Sequence, residues 1–307
     1  MKSKIIIVLE KILPKKLFII LKMRPRLMFV DVYTATKIKW LWSNMLDGID
    51  YRGDESAVLR KSTHILEKGL QRTDKKNGHS TKIVEKTLNL LDKADEENIR
   101  NWSKGIIQSY NNFQKGINID EAIDLPLFDK TIDTDSLVDL IKSRRSHRYF
   151  KDDKVSPDII KELAKILMWA PNSCNRQTTK IYITTNRDKI KKCLSLNGGA
   201  TCMNIPPVFI SFVSDTRSYI LPVEREAAFI DVSLAAQNFV LLAHNYNLGT
   251  CILNWTHAST NEERELRKEL KINDHELIIF NMILGYPLKN IHPSEKKPLS
   301  KIVEFRN

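Results

Sequence analysis

A chain of 307 residues, 42% apolar and 28% charged, can bury a sizeable core and is too apolar to be disordered or fibrous. Its formal charge of +12 is lopsided, because residues 1–40 hold ten Lys/Arg against Glu10 and Asp31, a net of +8, leaving +4 for the remainder. The basic balance is therefore a local property of the N-terminus. With no binding motif beside it, it is not a nucleic-acid signature.

The chain opens MKSKIIIVLEKILPKKLFIILKMRPRL. Its apolar runs, 5–9 and 17–21, are interrupted by Glu10-Lys11 and by Pro14-Lys15-Lys16. They are too short for a secretory core or for a spanning helix, which needs roughly 20 apolar residues. What remains is a basic amphipathic segment, which either docks on its own domain or a partner subunit, or lies on an anionic membrane surface. The reading is a cytoplasmic protein, with peripheral membrane or partner contact through residues 1–40 left open.

Residues 1–130 read as a mainly helical N-terminal extension and 131–307 as a second domain. In the extension, TKIVEKTLNLLDK (81–93) sets Ile83, Val84, Thr87, Leu88 and Leu91 on one helical face. HILEKGLQRTDKKNGHS (64–80) passes from a helical pattern, with His64, Glu67 and Lys68 at the spacing of a charged helix face, into a polar loop around Gly78. The acidic stretch 117–135, with Pro126, reads as a linker or wrap-around segment.

Beyond it, helices and strands alternate. Asp135 or Ser136 caps a helix ending near Lys142, and the basic run SRRSHRYFKDD (143–153) follows. Ser156-Pro157 offers an N-cap with proline at the first helical position. IYITT (181–185) and PVFISFV (207–213) are strands. Residues 224–247 form a long helix, apolar on more than one side, that stops at Asn247-Leu248-Gly249. TCIL (250–253) is a short strand, Thr260 to Glu263 has capping-box spacing, and LIIFNMILGYP (277–287) is a buried strand ending in a turn. The four cysteines, Cys174, Cys193, Cys202 and Cys251, form no C-x-x-C pair and no zinc-ligand spacing, so they read as reduced thiols and no metal site is expected.

Taken together, these stretches resemble the FMN-dependent nitroreductase family over about residues 136–304. RRSHRYF is similar to its R-[RH]-S-x-R-x-[FY] start, APNSCNRQ (170–177) to its A-P-S-x-x-N-x-Q loop, and IPPV (205–208), the helix from AAFIDVSLAAQN and the GYP turn (285–287) follow in register. The resemblance implies an α+β fold with a mixed central sheet flanked by helices, in an intertwined homodimer with two FMN sites at the interface. It implies that Arg144 and Ser146 hold the phosphate and ribityl end, with Arg145 contributing, and that Arg148 reaches the N1/O2 edge of the flavin. Period-two alternation independently puts Arg144, Ser146 and Arg148 on one side of an extended segment, and a guanidinium suits a phosphate because its planar fork donates two hydrogen bonds. The family further implies that Asn172, Ser173 and Asn175 of the other subunit meet the pyrimidine edge, that the backbone at Leu253 and Asn254 approaches N5, and that Lys296, or failing it Lys297, stands where an arginine usually meets the phosphate. Two departures stand out: Thr178-Thr179 in place of the usual continuation after the loop glutamine, and Cys174 in the loop.

The expected activity is hydride transfer from NAD(P)H, as co-substrate, through flavin to an organic acceptor, with no general acid assigned. The alternative is a flavin-binding, non-catalytic or dedicated-substrate partner of a polysaccharide-biosynthesis assembly. It draws on the Thr178-Thr179 departure and on the long extension, whose stretch 64–70 resembles an extension on family members from such settings.

Overall fold

The computed structural model describes residues 54–72, 74–117, 133–198, 204–219, 224, 226–255 and 260–306. The basic N-terminal segment and the linker stretch 118–132 lie outside the described residues, as does Cys202. Among the described residues three helices come first: α1 (Glu55–Leu70), α2 (Thr81–Leu91) and α3 (Glu97–Gln114). They close over an apolar cluster of their own that includes Leu59, Leu66, Leu90, Ile99 and Ile107. The face predicted for α2 is rotated: Val84, Thr87 and Leu91 are buried, but Leu88 is exposed and Leu90 is buried in its place. Because α2 packs against both α1 and α3, its buried stripe follows the groove between them.

The strands β1 (Thr179–Thr184), β2 (Val208–Asp215), β3 (Gly249–Asn254) and β4 (Glu276–Gly285) form one sheet in the order β1-β2-β4-β3. Every strand pairing is antiparallel. Among the described residues the parallel component expected of a mixed sheet is confined to one bridge, Ser146 beside Thr250, because the chain then leaves β3 and Phe150 bridges Pro287 instead. Among the described residues five helices accompany the sheet: α4 (Thr134–Ser143), α5 (Pro157–Lys165), α6 (Arg187–Leu196), α7 (Ala227–Asn245) and α8 (Thr260–Leu270).

Alternation sorts the core onto two faces. Val208, Ile210, Phe212, Met282 and Leu284 pack with α5 and α7. Phe209, Val213, Ile278 and Ile283 pack with Ile190 and Cys193 of α6 and Leu266 of α8. A register shift between Phe212 and Val213 leaves adjacent Ile279 and Phe280 in the same cluster. Helix ends follow local chemistry. Ser156 Oγ accepts from the Asp158 N–H ahead of Pro157, as expected. The cap of α4 is Asp133 rather than Asp135 or Ser136, since its carboxylate accepts from both the N–H and the hydroxyl of Ser136 at 3.0 Å. Asn247, at φ +58°, ends α7: its N–H reaches His244 O and the N–H of Leu248 reaches Ala243 O, each at 2.9 Å.

One close approach fixes where the basic run lies. The His147 N–H donates to Thr250 O at 2.9 Å, laying residues 144–148 along the start of β3. A Cβ on Gly249 would stand 2.7 Å from His147 Cβ and 2.8 Å from its Cγ, so only glycine admits that approach. Gly249→Ala is expected to lower stability by about 1–3 kcal/mol, read as a fall in the denaturation midpoint. A neutral effect would mean that the 144–148 segment yields freely.

Candidate functional site

The site-forming residues fall in two groups at opposite edges of the sheet. Along β3 lies the cationic segment. Arg144 closes α4 and turns the chain into extended geometry. Arg145 folds back, donating to the carbonyls of Lys142 at 2.5 Å and Arg144 at 2.8 Å, a favourable place for a cation at a helix C-terminus. Its buried Nε finds no partner. Ser146 is half-buried at the β3 bridge and Arg148 is exposed, with a long contact to Ser146 O at 3.4 Å. His147 points the other way into the protein and is buried. The alternation read from the sequence is visible only in part: His147 is enclosed and Arg148 exposed, but Arg144, Arg145 and Ser146 are all half-buried.

Among the described residues no carboxylate forms an ion pair with Arg144, Arg145 or Arg148. Their field reaches the neighbouring groups. Burial pushes the His147 pKa down, and the charges of His244, Arg144 and Arg145 push it further against an opposing hydrogen bond to the Lys289 carbonyl. Burial and the same two arginines also lower that of His244, whose Nε2 lies 2.8 Å from Ser143 Oγ. Burial raises the Cys251 thiol, opposed by Arg148 and Arg144.

At the other edge, leading into β1, lies the turn 172–177. Asn172 uses both ends of its amide within the turn, donating to Ala170 O at 3.2 Å and accepting from the Gln177 N–H at 3.0 Å. The Ser173 N–H donates to Asp231 at 3.0 Å, and its hydroxyl accepts from Arg176 at 2.8 Å. Asn175 Oδ1 accepts from Gln177 Nε2 at 2.9 Å. Of the three predicted amide and hydroxyl residues, Asn172 and Ser173 serve the turn itself, and Asn175 keeps an amide NH2 without a partner among the described residues. Cys174, Asn175 and Gln177 all have positive φ, a conformation that side chains disfavour.

Three strand spacings of about 4.8 Å separate the two edges, so roughly 14 Å or more lies between the groups within one chain. Leu253 is buried, leaving only its backbone to act, whereas Asn254 is exposed and its carbonyl accepts from Asn197 at 3.0 Å. Lys296 and Lys297 lie on the exposed arm 288–298, and the described contacts do not bring them to the arginines.

Sequence reasoning missed the polar network under the turn. Arg176 is fully buried; it donates to Ser173 O at 3.1 Å and pairs with Glu224, while its guanidinium lies 5.4 Å from the Tyr219 ring centre. Tyr219 OH joins Thr178 Oγ1 at 2.6 Å and donates to Asp231 at 3.0 Å. Burial raises the pKa of both Tyr219 and Asp231. One signal was available: Asp231 is a carboxylate inside the apolar run AAFIDVSLAA. The Thr178 departure has a structural role in this network.

Residues 141–197 and 195–286 match the sequence model of the nitroreductase family. A protein of Methanothermobacter thermautotrophicus, provisionally named NADH dehydrogenase/NAD(P)H nitroreductase, is 28% identical over 159 residues, 50% of this chain and 78% of that one. The FMN reductase [NAD(P)H] of Bacillus subtilis is 23% identical over 178 residues, 52% of this chain and 69% of that one. Among solved structures, a nitroreductase-like protein of Streptococcus mutans superposes with a TM-score of 0.51 at 17% identity, covering 57% of this chain and all of that one, which shows the fold. Motif order, fold and family match converge on one segment: residues 141–286 match the nitroreductase family model, and the fold is nitroreductase-like.

Proposed function

We propose that the protein is an FMN-dependent NAD(P)H oxidoreductase. The observation that carries this reading is the cationic edge at β3: three arginines, unpaired with any described carboxylate, around an accessible serine and an unpartnered buried Nε. That donor set suits a phosphate monoester, which presents about two negative charges and several acceptor oxygens. Bound FMN would supply the redox centre, taking hydride from NADH or NADPH and delivering it to an organic acceptor. Arg144 and Ser146 would hold the phosphate and ribityl end, and Arg148 would place positive charge beside the pyrimidine edge. The names of the Bacillus subtilis and Methanothermobacter relatives support both flavin and nicotinamide use. The non-catalytic alternative loses one of its supports, because Thr178 has a place in the buried network.

The separation of the two edges also supports a homodimer, in which the turn 172–177 of one protomer meets the cationic edge of its partner. Apolar surface is available for that contact. Phe229, Ile230 and Leu234 of α7 and Leu299, Ile302 and Phe305 of the C-terminal arm are all exposed. Sedimentation at micromolar concentration is expected to give twice the chain mass; a monomer that still binds flavin would remove the shared site.

The purified protein should show a flavin absorbance spectrum that bleaches anaerobically with NADH or NADPH. Arg148→Ala should weaken flavin binding by about tenfold, the usual loss for a charge-assisted hydrogen bond. Normal retention and normal reduction in that variant would place Arg148 outside the site.

Titration of the site histidines gives a separate expectation. His147 and His244 have folded pKa values below the ordinary 6.5, so the unfolded chain binds more protons in the window beneath that value. Stability is therefore full above about pH 6.5 and lost as the pH falls through the window. The thermal midpoint should drop between about pH 7.5 and 5.5, with a shallower slope in His147→Gln. Equal slopes would assign the pH dependence to other groups.

A further inference from the structure

We propose that Arg60 of α1 is a positioning residue for the turn 172–177, so that the helical layer ahead of the family segment sets how tightly the site holds flavin. The flavin part of this rests on the function proposed above; the contact itself does not.

Arg60 is buried, 6% exposed, and its guanidinium joins two distant elements. Nε donates to Arg176 O at 3.0 Å, across 116 residues of sequence, and NH1 meets Glu96 at 2.6 Å. Those bonds leave one rigid plane in two directions, which a lysine cannot reproduce. The carbonyl that Arg60 satisfies belongs to the residue whose own side chain holds Ser173 O at 3.1 Å and Ser173 Oγ at 2.8 Å. Two further contacts tie α1 to the same region. Lys61 meets Glu224, the partner of Arg176, at 3.3 Å, and Asp54 accepts from Ser218, next to Tyr219, at 3.0 Å.

The turn needs external ties. Cys174, Asn175 and Gln177 all hold positive φ without being glycine, and such a conformation persists only where its surroundings over-determine it. Asp231 and Asn172 fix the turn from inside the family segment, through the Ser173 and Gln177 N–H groups. Arg60 fixes it from outside, at the carbonyl directly after Asn175. Asn175 is the turn residue with an amide donor left for a ligand, so a shift at Arg176 is a shift of that donor.

The test uses the full-length protein, with hydrogen exchange of the Ser173, Arg176 and Gln177 amides and the FMN dissociation constant from flavin fluorescence. Arg60→Met and Arg60→Lys are compared with wild type and with Leu66→Val, which trims the helical cluster without touching the turn. The expected result is exchange at the turn faster by about tenfold in both Arg60 variants, with FMN affinity weaker by a similar factor. Exchange within α2 and α3 should stay unchanged, and Leu66→Val should leave the turn and the affinity as they were. Unchanged exchange at the turn in both Arg60 variants overturns the proposal. So does equal loosening of the turn by Leu66→Val, or of α2 and α3 by both Arg60 variants, because Arg60 would then act only on general stability. If wild type binds no FMN, the flavin half fails while the exchange data still decide whether Arg60 holds the turn.

Discussion

A guanidinium shut away from water must have its charge and its donors answered by protein, or it costs several kcal/mol. In this chain that demand falls on Arg176, which is fully buried. Glu224 supplies the opposite charge, Ser173 two acceptors and the Tyr219 ring a π-face, while the buried Nε of Arg176 keeps no partner among the described residues. The same residue's carbonyl is satisfied by a second buried arginine, Arg60. Around one enclosed cation, the turn into β1, the long helix α7 through Asp231, and the separate helical layer are brought into fixed relation.

The opposite edge of the sheet is organised by the reverse condition: positive charge that no described carboxylate answers. Arg145 turns back to cap α4, Arg144 is half-buried and Arg148 exposed, and His147 is driven inward over Gly249, where burial and then neighbouring cations hold its pKa down. An anion placed there meets donors already oriented, which is the condition for binding without a large reorganisation penalty. One edge is thus cationic and accessible, the other amide-bearing and locked. The sheet keeps them apart within a protomer.

Much of this was legible in the chain. β-branched runs marked β1, β2 and β4, Ser156-Pro157 marked the start of α5, and period-two alternation matched an exposed Arg148 beside an enclosed His147. What escaped depends on partners distant in sequence. Arg176 reads as one more polar loop residue, because Glu224 and Arg60 are invisible to any local pattern. Asn172 and Ser173 were expected to face a ligand, and the structure also gives them bonds within the turn that no local pattern announces. The face of α2 was misjudged for a similar reason: burial there is decided by two neighbouring helices, and not by the line of apolar residues along one.

The 116-residue separation of Arg60 from its acceptor also bears on how the chain assembles during synthesis. The helices α1 to α3 enclose their own apolar cluster and can collapse soon after they leave the ribosome. Until residue 176 emerges, however, the docking face of α1 remains a solvated cationic surface with nothing to close upon. The long closure then required places docking late, after the sheet-forming half has been made. The buried arginine pair joins two early-formed and late-formed bodies, and its completion marks the moment at which they become one folded unit.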